Sequence, residues 1–419
     1  MRAIGTANIL AIGTELLTPY RTDTNSLYLT ARLNELGIDV TAKSIVGDDV
    51  RDLERALSLA LQQTDLVITT GGLGPTADDL TREAASSVLG LAMVEDSALV
   101  AELRARFARR GSPMPEINRR QAMVLHGATV LPNPRGSAPG LLITQGDKLV
   151  LLLPGPPREL EPMFEASVKD RLAARTAGRR LCRRVIKIAG QPESRVDEIA
   201  APIYGPLSAL PVPISTTILA SPGQVELHLS ARAGGDAMID GPLDTAVAAL
   251  VAALGDSVFS TDGRAIEVVV GDALRARSLT LAVAESCTGG LVAARLTDVP
   301  GSSAYLLGGV VAYANDVKRG VLNVPSDVID THGVVSEPVA AAMALGVRRA
   351  LKSDVSVAVT GIAGPDGGTE AKPVGMVSFA VSGPGDQLTT LTRVVPGDRQ
   401  LVRQWSVMVA LDLVRRAVR

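Results

Sequence analysis

The chain has 419 residues, 42 Lys and Arg against 44 Asp and Glu, and a formal net charge of −2. That length exceeds one ordinary core, so two or three domains are expected, and the near-neutral balance gives no basic footprint for DNA or RNA. Aromatic residues are only 2% against a hydrophobic share of 46%, and Cys182 and Cys287 are the only cysteines, which argues against base-stacking platforms, a disulfide framework or a cysteine metal site.

The first segment alternates strand and helix signals. Ile9–Ile12 reads as a strand, 25–36 as an amphipathic helix closed by Gly37, 38–46 as a second strand, 49–61 as a helix and Leu66–Thr70 as a buried strand. That order predicts a mostly parallel sheet covered on both faces. Strand 66–70 runs into Gly71-Gly72-Leu73-Gly74-Pro75-Thr76-Ala77-Asp78-Asp79, a glycine loop opening a helix and suited to phosphate, although it lacks the Gly-Lys-Ser/Thr ending of a P-loop. Asp78 and Asp79 either cap that helix or ligate a hard cation. A late strand, 149–153, ends in Pro154-Gly155-Pro156-Pro157.

Arg179, Arg180, Arg183 and Arg184 then open a smaller segment of strand, helix, two strands and helix. The basic cluster is either a nucleic-acid contact or, more commonly, a solvated strand end. A second α/β pattern follows. The run Leu279, Leu281, Val283 is a buried strand ending at Glu285-Ser286-Cys287-Thr288-Gly289-Gly290, after which Leu291, Val292 and Leu296 mark a helix. Ser286 therefore sits at a strand-to-helix turn, where unpaired helix-start amides would favour a developing oxyanion. Ser286 is either a nucleophile or a helix cap, and Cys287 beside it is expected to be a small buried residue. A serine nucleophile needs a base. His332 is the one histidine of this region, in an apparent loop; the stronger candidate is Lys318. A long strand, 304–313, is expected to lead through Asn315 and Asp316 as N-caps into a helix whose first turn holds Lys318, where helix polarity and burial would both disfavour the ammonium. Alone, Lys318 reads more commonly as a solvated surface lysine. Tyr313 is placed to relay protons between the two. The glycine-rich loop 361–368 is a phosphate site or only a turn, and Arg399 lies at the start of the last helix.

The motifs Ala284–Gly290, Tyr313–Lys318, Gly333–Glu337 and Thr360–Gly368 together closely resemble the C-terminal domain of the CinA family, whose activity is that of a Ser/Lys nicotinamide mononucleotide deamidase. The resemblance implies Ser286 as nucleophile, Lys318 as general base and Tyr313 as its assistant, with Thr288, Gly289, Gly290, Thr360, Gly361, Gly364 and Arg399 around oxyanion and substrate. It implies hydrolysis of the carboxamide to nicotinic acid mononucleotide and ammonia, with no cofactor. Gly13-Thr14-Glu15, Asp23-Thr24-Asn25, 46–49, 69–79 and 153–159 resemble the CinA N-terminal domain, of the molybdopterin-binding MoaB/MogA fold. That resemblance implies a metal-dependent ADP-ribose pyrophosphatase yielding AMP and ribose 5-phosphate. Its ligand-binding residues would be Gly13, Glu15, Asp23, Asn25, Gly71, Gly72, Gly74, Thr76, Asp79, Pro154 and Gly155. Asp48, Asp78 and Asp79 would hold a divalent ion (Mg, or Co or Mn), with K⁺ a further candidate.

Pro19 stands where the family often has glycine, and since proline fixes φ and removes a donor, the loop facing the phosphate site is expected to differ. The expected architecture is α/β: two three-layer α/β domains, residues 1–172 and 258–419, joined by a small α+β domain of KH type, residues 173–257, in which no clear Gly-x-x-Gly clamp is found. The expected protein is a cytoplasmic homodimeric hydrolase of pyridine-nucleotide salvage, acting on small nucleotides and engaging neither membrane nor nucleic acid. Two other readings stand beside it: a non-catalytic nucleotide-binding competence or interaction protein, and a molybdopterin-handling protein suggested by fold alone.

Overall fold

Strands Thr6–Ile12, Leu66–Thr70 and Lys148–Leu153 are buried along nearly their whole length, as parallel strands covered on both faces must be. They come from a computed structural model that describes residues 3–234 and 239–419. With Asp39–Val46 they form the parallel part of a six-stranded sheet, which Gly140–Gln145 and Thr129–Leu131 extend antiparallel. Alternation splits each strand between two cores. Ile9, Ile68 and Leu151 face Leu29, Leu33, Leu160 and Phe164, whereas Leu10, Val67 and Val150 face Leu57, Ala60 and Leu89. Each such aliphatic side chain contributes roughly 1.5–3 kcal/mol by leaving water. The two antiparallel strands and the two-stranded antiparallel sheet of Met93–Glu95 with Met123–Leu125 carry no sequence expectation. All but Gly140–Gln145 are three residues long, too short for a periodic signal.

The C-terminal sheet has the order Leu306–Val311, Leu281–Glu285, Val355–Gly361, Met376–Ser382, Leu388–Val394. The first three strands are parallel and the last two antiparallel. The expected strand 304–313 is thus shorter, because Ser302–Ala304 forms a 3-10 turn before it. Leu281 and Val283 pack with Val357 and Val359 on one face, while Ala282, Ala284 and Ala358 lie against Val339, Met343 and Val347 of helix Glu337–Leu351 on the other. Alanine on that face lets the helix sit close to the sheet. Both sheets are therefore the middle layer of a three-layer α/β sandwich.

Strands Ile214–Ser221, Gln224–Ala233, Arg180–Ala189 and Val258–Ser260 make a third, four-stranded sheet in that order. The compact units number two: Met1–Cys182 with Ala231–Ile239, and Arg183–Ser230 with Asp240–Arg419. Segment 173–257, expected as a domain of its own, is divided between them, with residues 183–230 and 240–257 in the second unit. Within the basic cluster, Arg184 pairs with Asp240 and Asp244, the arrangement of an ion-paired strand surface. Among the described residues no helix is long and apolar enough to cross a membrane.

Candidate active site

In the C-terminal sheet, strand Leu281–Glu285 has one parallel neighbour earlier in its sheet order and one later, so its end is a topological switch point. Such points open a crevice beyond the carboxyl ends of the strands. Ser286 lies there, its amide tied to the carbonyl of Val359 at 2.9 Å. Lys318 reaches the same place from helix Asn315–Gly320. Its Nζ is 3.2 Å from Ser286 Oγ, 2.8 Å from the Ala312 carbonyl and 3.4 Å from the Tyr313 carbonyl. An uncharged amine has two N–H bonds and one lone pair. With the carbonyls taking the two N–H bonds, the lone pair is left facing the serine hydroxyl. The residue is only 2% exposed, and this burial pushes the amine below the usual lysine range. Burial is the cause, since the helix has just 6 residues and starts at Ala314 with no side-chain cap; Asn315 and Asp316 are not the expected N-caps.

The helix-start amides expected to hold an oxyanion are already engaged. Glu285 is 1% exposed and its carboxylate accepts from the amides of Gly290 (3.0 Å), Val292 (3.1 Å) and Ala293 (2.9 Å). Thr288 is fully buried, and Arg403 donates to its carbonyl at 3.0 Å. Thr288, Gly289 and Gly290 therefore shape the turn from behind and line no part of the cavity. The open cavity, about 260 Å³, is bounded instead by Ser286, Lys318, Asn315 and the 360–367 loop. Ala363 and Gly364 of that loop have amides with no partner in the hydrogen-bond network of the described residues.

Thr360, Gly361, Gly364 and Arg399 line this cavity as expected. The Thr360 hydroxyl, though, is spent on the Val334 carbonyl at 2.8 Å. The relay expected of Tyr313 is not in this geometry. Its side chain is 57% exposed and its hydroxyl accepts from Arg399 at 2.8 Å, while Arg399 also donates to the Gly364 carbonyl at 2.9 Å. It is the Tyr313 carbonyl that meets Lys318. His332 ends helix Ser326–His332, is exposed and lines no part of the cavity. Cys287 is buried against the apolar core at the edge of the same cavity, where burial pushes its thiol up to about 12, so it is protonated at neutral pH. Asn315 and Asp366 line the cavity without having been singled out for it; nothing in the sequence separates an Asn at a cavity wall from one at a helix cap.

The N-terminal sheet repeats the arrangement. The ends of Thr6–Ile12, Leu66–Thr70 and Lys148–Leu153 open into a cavity of about 360 Å³ lined by Gly13, Glu15, Asp48, Gly71, Gly72, Gly74, Asp78, Asp79, Pro154 and Gly155. Gly71 has φ +102° and a Cβ there would stand 2.3 Å from the Ile12 carbonyl oxygen, so the loop requires glycine. Three expected ligand residues lie elsewhere. The Asp23 carboxylate accepts from the Ser26 amide, Asn25 donates to the Gly155 carbonyl at 2.7 Å, and Thr76 donates to Asp79. Asp79 is turned inward on its own loop, accepting from the amides of Gly74 (2.7 Å) and Thr76 (2.9 Å) and the Thr76 hydroxyl (2.5 Å). Asp48 accepts from the Thr14 amide at 2.8 Å. Asp48 and Asp79 are thus engaged by loop amides, and Asp78 stands beside them in the cavity wall. Among the described residues no group of three or more His, Cys, Asp or Glu converges to hold an ion. Pro19 is exposed and outside the cavity. No sequence signal marks Arg82, a buried guanidinium that donates to the carbonyls of Leu73 and Gly74, both at 3.0 Å, and whose burial lowers it to about 10. Gln121, Ser137 and Glu159, also in the wall, come from distant segments.

Residues 263–418 match the family described as the CinA C-terminal domain, and residues 8–174 match the probable molybdopterin binding domain. A CinA-like protein of Koribacter versatilis is 48% identical over 98% of this chain and 99% of its own length. A putative competence-damage inducible protein of Desulforudis audaxviator is 46% identical over 98% of each chain. Among solved structures, the competence/damage inducible protein CihA of Agrobacterium tumefaciens is 36% identical, covering 37% of this chain and 94% of that chain at a TM-score of 0.36. With near-full-length relatives of this identity and both domain families in order, the chain belongs to the CinA family.

Proposed function

We propose that the C-terminal unit is a Ser/Lys amidohydrolase that deamidates nicotinamide mononucleotide to nicotinic acid mononucleotide and ammonia. One observation carries this reading: Lys318 Nζ is buried 3.2 Å from Ser286 Oγ, with two carbonyls fixing its lone pair toward that hydroxyl. In the proposed reaction Lys318 takes the Ser286 proton as Oγ bonds to the carboxamide carbon. The tetrahedral intermediate breaks its C–N bond, and the Lys318 ammonium gives its proton to the departing nitrogen, which leaves as ammonia. Water then attacks the acyl-serine, again deprotonated by Lys318, and the acid departs with Ser286 restored. A nucleophile and a buried base are superfluous to a scaffold, which supports catalysis over the non-catalytic reading. Purified protein given nicotinamide mononucleotide should release ammonia and lose this activity on Ser286→Ala; a folded wild-type chain without ammonia release would reject the reading.

For the N-terminal cavity we propose hydrolysis of ADP-ribose to AMP and ribose 5-phosphate, on the strength of the glycine loop at the strand ends. Its wall presents the carboxylates of Glu15, Asp48, Asp78, Asp79 and Glu159 and, among the described residues, no Lys or Arg. An anionic nucleotide matches such a wall as its divalent-cation complex. AMP should appear from ADP-ribose with Mg²⁺, Mn²⁺ or Co²⁺ and vanish with chelator; no AMP under any ion would leave this cavity a nucleotide or pterin binder.

A further inference from the structure

Glu285 is a buried carboxylate immediately before the proposed nucleophile, and the reaction above does not use it. Its three acceptor contacts all go to main-chain amides at the start of helix Leu291–Thr297. The turn it closes is otherwise loose. Gly289 and Gly290 adopt φ of +61° and +96°, and no side chain of the turn caps the helix. Without the carboxylate, three helix-start donors, the Val292 amide buried and those of Gly290 and Ala293 partly so, would be unpaired, which a glycine pair would relieve by moving. Because the serine is fixed on one side by the hydrogen bond its amide donates to the Val359 carbonyl and on the other by this turn, such movement would carry Oγ away from Lys318.

Resting on the Ser/Lys reading, we propose that Glu285 is a positioning residue: it pins the 286–290 turn through its three amides and so sets the Ser286 hydroxyl on the Lys318 lone pair. It touches no substrate atom, since it lies outside the cavity wall. Substrate affinity should therefore survive its replacement while turnover does not.

The test compares wild type with Glu285→Gln, which keeps the shape but loses the second anionic acceptor. Turnover of nicotinamide mononucleotide should fall on the order of 10- to 100-fold with KM changed by less than about 2-fold, as expected for a misplaced nucleophile. A second readout needs no nucleotide. A fluorophosphonate probe phosphonylates a serine when Oγ bonds to phosphorus, fluoride leaves and the hydroxyl proton passes to the base. Labelling of Ser286, followed by mass spectrometry, should slow in the same proportion. A wild-type chain that is labelled but inert toward the nucleotide would sink the substrate reading and leave the positioning role testable. Equal labelling of wild type and a folded Glu285→Gln would overturn the positioning role. Should that variant not fold, hydrogen exchange in the native protein decides: amides 290, 292 and 293 should be protected as strongly as the sheet, and rapid exchange there would overturn the proposal.

Discussion

Two neighbouring side chains, Ser286 and Cys287, are separated by the alternation of the chain, one toward Lys318 and the other into the apolar core. Replacing each by Ala should therefore give opposite phenotypes. Ser286→Ala is expected to abolish ammonia release, whereas Cys287→Ala should keep turnover within a few-fold and cost about 1 kcal/mol from lost packing, readable by thermal melts. Lys318 sets the pH behaviour. Burial holds its amine below the usual lysine value, so the base is neutral above that lowered pKa and activity should fall as pH drops through it. The same shift opposes folding. The unfolded chain binds a proton at Lys318 that the folded one gives up, so between the lowered pKa and 10.5 stability rises with pH. Lys318→Met should remove this rise along with turnover; an unchanged pH slope of stability in the variant would contradict a lowered Lys318.

At the scale of elements, the strand-loop-helix units that carry both sites were legible because their physics is local. Apolar runs such as Leu66–Thr70 and Leu281–Glu285 lead into turns with glycines at positive φ, which glycine adopts most readily, and both cavities lie there. What stayed hidden depends on contacts between distant segments. Glu285 looks like a polar end to a strand until the helix after it is in place, and Arg82 looks like a surface helix residue until its guanidinium is seen under the glycine loop. Tyr313 lines the same cavity as Ser286 and Lys318, and its pairing with Arg399 across 86 residues of chain was not legible because it joins distant segments. Arg82 yields a further expectation. Arg82→Ala leaves the Leu73 and Gly74 carbonyls without their donors and should destabilise the first unit by about 2–4 kcal/mol, in the range for buried acceptors left unmet. A denaturant midpoint unchanged by this substitution would show that the loop is held otherwise.

Across the whole molecule, two sheets in separate compact units each open a cavity at their strand ends. The chemistry of one cavity has no residue in the other, so the two activities should separate cleanly. Asp79→Ala unties the Gly74–Thr76 loop and is expected to remove AMP formation while leaving ammonia release unchanged. Ser286→Ala should do the reverse. The most direct measurement is the pH dependence of ammonia release from nicotinamide mononucleotide, run on wild type, Ser286→Ala and Lys318→Met. Wild type should show an acid limb at a pH below the ordinary lysine range, and both variants should stay at background throughout. Undiminished release by either folded variant would contradict a serine activated by a buried, uncharged lysine.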